Sequence, residues 1–285
     1  MEQRNRNGGN RRAEYNNPYA TPHTNEEYYN PYASHDASID DTAVNAYVAR
    51  VFGWMFIGLL VTALTTGGIV VGMNASPAFA EFVFLIIGTP VYWGVFIGQL
   101  IIAMSLSSRV AKMNPTTAKM MYVLYAISIG FTVGIISVLI SYNAGGNLNL
   151  LVTAFGVTAV SFGVMAVYGL VTNQDLTRFS NLVKMALIGF FIAWFANVFI
   201  MRNPMIDLVL TVFGLFIFLG VTAYHTNTIK NYFAQIALNP DSAAAMGARI
   251  DQQALASNIA IVGALMLYIS FINLFIMILR LLSRK

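Results

Sequence analysis

Ser270 and Asn273 stand three residues apart in the run "IVGALMLYISFINLFIMILRLL" at 261–282. On a helix that spacing puts both polar groups on one face. Elsewhere in equally apolar surroundings stand Gln99, Asn197 and His225, with Arg109 closing the run that holds Gln99. Three kinds of chemistry are open to such a set. A histidine near a helix end is either wet at the interface or a proton-sensitive switch, because its ordinary pKa of about 6.5 lies in the useful range. Gln99 is either an interhelical hydrogen-bond former or a transport ligand, and such bonds average about 0.6 kcal/mol. Ser270 reads most simply as a packing hydroxyl bonded to its own helix. A Ser270–His225 protease dyad has the right residue types. No Gly-x-Ser-x-Gly elbow surrounds the serine, however, and no oxyanion donor follows it. No catalytic residue and no cofactor are expected, so the chain is not read as an enzyme.

The elements holding these residues are apolar helices. Of 285 residues 57% are hydrophobic and 10% charged, with mean hydropathy +0.65, where a soluble domain has about 25% charged residues. Seven stretches meet the ~20-residue length of a membrane span, at 48–72, 82–106, 118–140, 149–170, 181–201, 206–229 and 255–281. The fold class is therefore an all-α integral membrane protein, a seven-helix bundle over residues 46–285, in contact with membrane lipids. No Asp, Glu, Lys or Arg falls in the middle third of any span. Small residues recur within the spans, as in "FIGLLVTALTTGG", and let helices approach closely. No lysine sits inside the last span, which excludes a retinal-type Schiff base there.

Basic residues gather at the ends of spans and form no dense patch, so nucleic acid is not an expected partner. With the N-terminus inside, the inner side holds Arg4, Arg6, Arg11, Arg12, Arg50, Arg109, Lys112, Lys119, Arg178, Lys184, Lys230 and Arg249. The outer side holds Arg202, Arg280, Arg284 and Lys285. That asymmetry places the N-terminus in the cytoplasm. The C-terminal cations run against it, so the seventh segment either crosses or dips in and returns. In this orientation Gln99, His225, Ser270 and Asn273 are expected to converge in the cytoplasmic half beside Arg109. Residues 1–45 are polar, carry the repeat "EYNNPYA" (14–20) and "EYYNPYA" (27–33), and read as a disordered tail. The absence of cysteine removes disulfides and thiolate metal ligands.

Several motifs, in order, resemble the Bax inhibitor-1 (transmembrane Bax inhibitor motif) family. "ALMLYISFINLFIMILRLL" is similar to its C-terminal signature, "AYHTNTIK" (223–230) to its Ala-Tyr-Asp-Thr stretch, "YGLVTNQDLTRFSNLVKMALIGFFIAWFANVF" (168–199) to its fourth loop and fifth span, and "GQLIIAMSLSSRVAKMNPTTAK" (98–119) to its second span and loop. The resemblance implies a bundle around a central seventh helix in a bacterial-type plasma (inner) membrane. It implies a pH-sensitive calcium leak gated by two aspartates that pair with each other or with an arginine, and a role in stress responses. Some bacterial members restrain a membrane-bound AAA protease, and eukaryotic members suppress cell death. Here His225 and Ser270 occupy the aspartate positions and Gln99 the usual glutamate, and Arg109 matches the arginine only approximately. A hard divalent cation prefers carboxylate or carbonyl oxygens, so the altered gate is the feature to follow. An alternative reading is an interaction protein that modulates a protease through its tail. If so, deleting residues 1–45 leaves any calcium flux intact and abolishes a crosslinked partner. Recovery of the same proteins with and without the tail removes it as the docking element.

Overall fold

The computed structural model describes residues 41–87, 89–143, 149–238 and 252–284. The tail repeats and the loop after residue 238, Arg249 included, lie outside the described residues. Among those described there is no strand. The helices are α1 (Asp41–Ala75), α2 (Pro77–Ile87), α3 (Pro90–Arg109), α4 (Pro115–Asn143), α5 (Asn149–Val171), α6 (Ser180–Ala196), α7 (Pro204–Leu238) and α8 (Gln252–Leu282). Short 3-10 turns follow α3 (Val110–Lys112) and precede α6 (Leu176–Phe179), and a π turn (Asn197–Met201) extends α6. Seven of these segments are long and apolar enough to cross a membrane.

Every proline among the described residues opens a helix: Pro77, Pro90, Pro115 and Pro204. A first-turn N–H has no intrahelical partner to lose, and the proline ring presets the helical φ. This corrects the second span. Expected at 82–106, it starts at Pro90, behind Thr89 in an extended conformation (φ −112°, ψ 162°). Residues before that break form the separate short helix α2. The first helix likewise begins at Asp41, ahead of the expected tail boundary at 45.

The seventh segment does not turn back. α8 runs unbroken for 31 residues, about 46 Å at 1.5 Å per residue, against a hydrocarbon core of ~30 Å. It is the central helix, with 72% of its apolar window buried, while the same measure for α3 is 11%. α1, α4, α5 and α7 surround it, and α6 packs on α7. One stripe of α8 stays half-exposed: Val262, Met266, Ile269, Asn273 and Ile276. Its ends are tied to opposite ends of the bundle. Asn258 Nδ2 donates to the Val110 and Met113 carbonyls at 2.9 and 2.8 Å, at the end that carries Arg109 and Lys112. At the other end Arg280 and Arg284 pair with Asp207 in the first turn of α7. Two of the three C-terminal cations that ran against the charge asymmetry, Arg280 and Arg284, are thus partnered.

α1 and α4 lie parallel in constant register. Thr66 Oγ1 donates to Gly130 O at 3.0 Å, and Tyr122 Oη donates to Trp54 O at 3.0 Å. Thr62 Oγ1 stands 2.6 Å from the Tyr268 hydroxyl, and 2.9 and 3.1 Å from the Gly58 and Ala126 carbonyls. A hydroxyl has one proton, so Thr62 gives its own to the carbonyls and accepts from Tyr268, joining α1, α4 and α8. The Tyr268 ring meets Tyr122 and Tyr125 edge-on at 6.0 and 5.9 Å. Large apolar side chains such as Phe56, Leu64, Ile200 and Phe213 face outward, as a lipid-facing surface requires.

Close approach requires glycine at position 130, as it does at Gly169 against the Ala223 carbonyl. A Cβ on Gly130 would stand 2.9 Å from the Thr62 carbonyl oxygen, and backbone cannot move aside as a flexible side chain can. Gly130→Ala is expected to destabilise the bundle by about 1–3 kcal/mol through overpacking. Gly94→Ala meets nothing within 4 Å and gains ~0.5–1 kcal/mol of helix propensity. Melting of the two variants in detergent checks this, and equal midpoints would refute the close α1–α4 approach.

Candidate functional site

The polar edge of α8 meets α7 at one point inside the bundle. His225 Nδ1 lies 3.1 Å from Ser270 Oγ. Ser270 is 1% exposed and also donates to the Met266 carbonyl at 3.0 Å, the return bond to its own helix typical of an intrahelical serine. With its single proton given to Met266, Ser270 Oγ can only accept from His225, so Nδ1 carries the ring proton. In a nucleophilic dyad the hydroxyl gives its proton to the imidazole. The bond here runs the other way, and the geometry favours a latch between two helices over an activated serine.

His225 is half-buried, and its own-helix neighbour Tyr224 packs a ring 5.6 Å from it. Among the described residues both ion pairs use Asp207, far along α7, so no carboxylate pairs with His225. Nor does any group of three or more His, Asp or Glu side chains converge to hold a metal ion among those residues.

The expected convergence of the other candidates is not what the bundle builds. Gln99 is 5% exposed, and its Nε2 donates to the Ser128 carbonyl at 2.8 Å and to Thr132 Oγ1 at 2.7 Å. Its amide therefore ties α3 to α4. Asn273 is half-buried on the open stripe of α8, and its Nδ2 donates to Ile269 O at 2.8 Å. It shares a face with the latch without joining it. Arg109 is exposed at the end of α3 and forms no ion pair among the described residues. Asn197 is buried where the π turn begins, and its Oδ1 accepts from Asn203 N at 3.1 Å. Of the candidate set, only His225 and Ser270 touch.

Two residues beside the latch were not singled out from the sequence. Asn227, 2% exposed, accepts from Leu176 N at 3.1 Å and donates to Gly169 O and Gln174 O at 3.3 and 3.4 Å. Lys230 Nζ donates to Leu170 O at 2.9 Å. Together they fasten α7 to the turn between α5 and α6, supplying partners to backbone groups that a helix end leaves unpaired. The same turn is capped by Asp175, which accepts from both Thr177 N and Thr177 Oγ1. Those bonds hold its carboxyl below the ordinary range. The signal in the sequence was the i, i+3 spacing of Asn227 and Lys230 after His225, at the end of a span.

Comparison with known proteins agrees with this architecture. The family model described as "Inhibitor of apoptosis-promoting Bax1" matches residues 44–285. The inner membrane protein YbhL of Escherichia coli K12 is 33% identical over 244 residues, covering 85% of this chain and 93% of its own. An uncharacterized protein of Borreliella burgdorferi is 28% identical over 241 residues, covering 85% and 93%. An uncharacterized membrane protein of Streptococcus pyogenes is 27% identical over 246 residues, covering 86% and 95%. A seven-span bundle built on a buried last helix, and a family match that runs through its spans, make this chain an integral membrane protein of the Bax inhibitor-1 family.

Proposed function

We propose that this protein is a proton-responsive cation leak of the membrane, with calcium the cargo that its family implies, gated where His225 of α7 meets Ser270 of α8. The observation that carries the reading is the 3.1 Å bond between them. These are also the positions where the family resemblance puts its paired aspartates. A neutral imidazole donating to a serine closes α7 onto the central helix at no charge cost. A second proton on Nε2 adds a charge that no carboxylate offsets. The groups around it are Tyr224 on its own helix, and Ser270 with the Met266 carbonyl on α8. A charge inside a span costs roughly 2.5–3.5 kcal/mol on insertion scales. The protonated ring is therefore drawn toward the wet end near Lys230, and α7 parts from α8. The leak rises as pH falls.

Calcium flux into proteoliposomes from pH 8 to pH 5 tests this. Wild type is expected to conduct more at pH 5. Ser270→Ala, which removes the acceptor, should raise flux at pH 8 by about threefold, the equivalent of a ~0.6 kcal/mol interhelical bond, and flatten the pH response. The His225→Asp, Ser270→Asp double variant restores two carboxylates and serves as the conducting control. Flux that is pH-independent in wild type and unchanged by Ser270→Ala, while the double variant conducts, removes the latch as the gate.

A second reading follows from the lack of a converging acidic cluster among the described residues, which a divalent cation would favour. In it the protein conducts no calcium and acts on a membrane-bound protease through its tyrosine-rich tail. Absence of wild-type flux at every pH, with a partner lost on deleting residues 1–40, ahead of α1, is the result that selects it.

A further inference from the structure

A cavity of about 540 Å³ opens between α5, α6 and α7. Its walls include Tyr168, Phe179, Val183, Phe216, Gly220 and Tyr224. The volume lies within the ~300–1,000 Å³ of small-molecule sites, and so does the predominance of apolar and aromatic walls. The cavity follows α7 from Tyr224 to Phe213, about 16 Å at 1.5 Å per residue. That is one leaflet's share of a ~30 Å hydrocarbon core. Phe213 and Phe216 are 66% and 67% exposed, so the crevice is entered sideways, from the bilayer.

The end of the crevice carries a net positive charge. Phe179 belongs to the 3-10 turn Leu176–Phe179, which also carries the exposed Arg178. Lys184 is also exposed, on the face of α6 opposite Leu182 and Ala186, and adds to the positive charge of this end without lining the crevice. Neither cation forms an ion pair among the described residues. Asp175 is the one nearby acid on this turn, and its carboxylate accepts from Thr177. Lys230 adds a third positive charge, anchored on the Leu170 carbonyl. Basic pockets between membrane helices are suited to anionic headgroups, each cation near the surface contributing roughly 1 kcal/mol. The two tyrosines supply rings of the kind that settle at headgroup level.

We infer that this crevice is a binding site for an anionic phospholipid: one acyl chain lies along α7 from Tyr224 to Phe213, and the phosphate is held by Arg178. Chain and charge make separable demands on the protein. Gly220 lines the cavity, and a Cβ there would meet nothing within 4 Å, so the side chain of Gly220→Phe starts into open space and its ring occupies the crevice. Arg178→Gln removes charge from an exposed position and leaves the crevice open.

The test uses the full-length protein in detergent, mixed with equal phosphatidylglycerol and phosphatidylcholine, with retained lipid counted by native mass spectrometry. Wild type is expected to retain phosphatidylglycerol in preference. Arg178→Gln should lower the ratio of the two lipids about fivefold with total retention unchanged. Gly220→Phe should lose both lipids while keeping its helical circular dichroism and melting midpoint. Millimolar inorganic phosphate should not displace the lipid. No headgroup preference in wild type overturns the inference. So does full retention by Gly220→Phe, displacement by phosphate, which would mean a plain anion site, or an unchanged ratio in Arg178→Gln. If Gly220→Phe does not fold, the Arg178→Gln ratio decides alone. None of these readouts depends on ion flux.

Discussion

Lipid is as apolar as leucine and gives an apolar helix no hydrophobic reason to leave it, so the burial of α8 must come from close packing and shared hydrogen bonds. Both are visible around it. Gly263 of α8 faces Ile229 of α7 and Val51 of α1, where a larger residue would hold the neighbours off. Tyr268 gives its proton to Thr62, and Thr62 passes its own to carbonyls of α1 and α4. Other buried hydroxyls, such as those of Thr158, Thr211, Thr222 and Thr226, donate to the carbonyl four residues back in their own helix. Ser137 Oγ and Asn258 Oδ1 are the buried side-chain atoms without a hydrogen-bond partner among the described residues. The bundle is held by a small number of specific contacts on an otherwise uniform apolar surface.

The latch has a particular chemistry against that background. A pair of carboxylates in the same place would have to share a proton, because like charges at contact distance cannot both ionise cheaply. A histidine and a serine carry no such conflict, and their contact is complete when both are neutral. With this pair in place of two acids the interior is uncharged at rest, and the charged state lies on the acid side of the titration instead of the alkaline side. Acid neutralises a carboxylate, whereas it charges an imidazole. The fixed charges on α8 and on the start of α7 remain at the far end, where Asp207 meets Arg280 and Arg284.

The spans were legible because length and composition suffice to identify them. Which face of each looks inward was not, because helices apolar all round carry no amphipathic stripe to read. Gln99 shows the consequence. Its type announced a hydrogen bond inside the membrane, but its partner, the Ser128 carbonyl, is a backbone group that any residue would supply. Asn227 and Asn258 were missed for the same reason, since their partners are the carbonyls and amides of turns. The break at Pro90 was available in principle, as proline favours the first helical position. The continuous apolar run across "FVFLIIGTPVYW" outweighed it. His225 and Ser270 could be paired beforehand because the family resemblance, not the periodicity, aligned them.

The two end ties of α8 restrict how this protein can change shape. Asn258 holds one end to the turn after α3, and Asp207 holds the other to the start of α7. A rod fastened at both tips cannot slide like a piston. It can swivel about its long axis, or its neighbours can swing around it. The half-exposed stripe through Met266 and Asn273 is the side on which such a swivel meets least resistance. Rotation would carry Ser270 toward or away from α7 while both tips stay put, so the pivot of this machine is its most buried part.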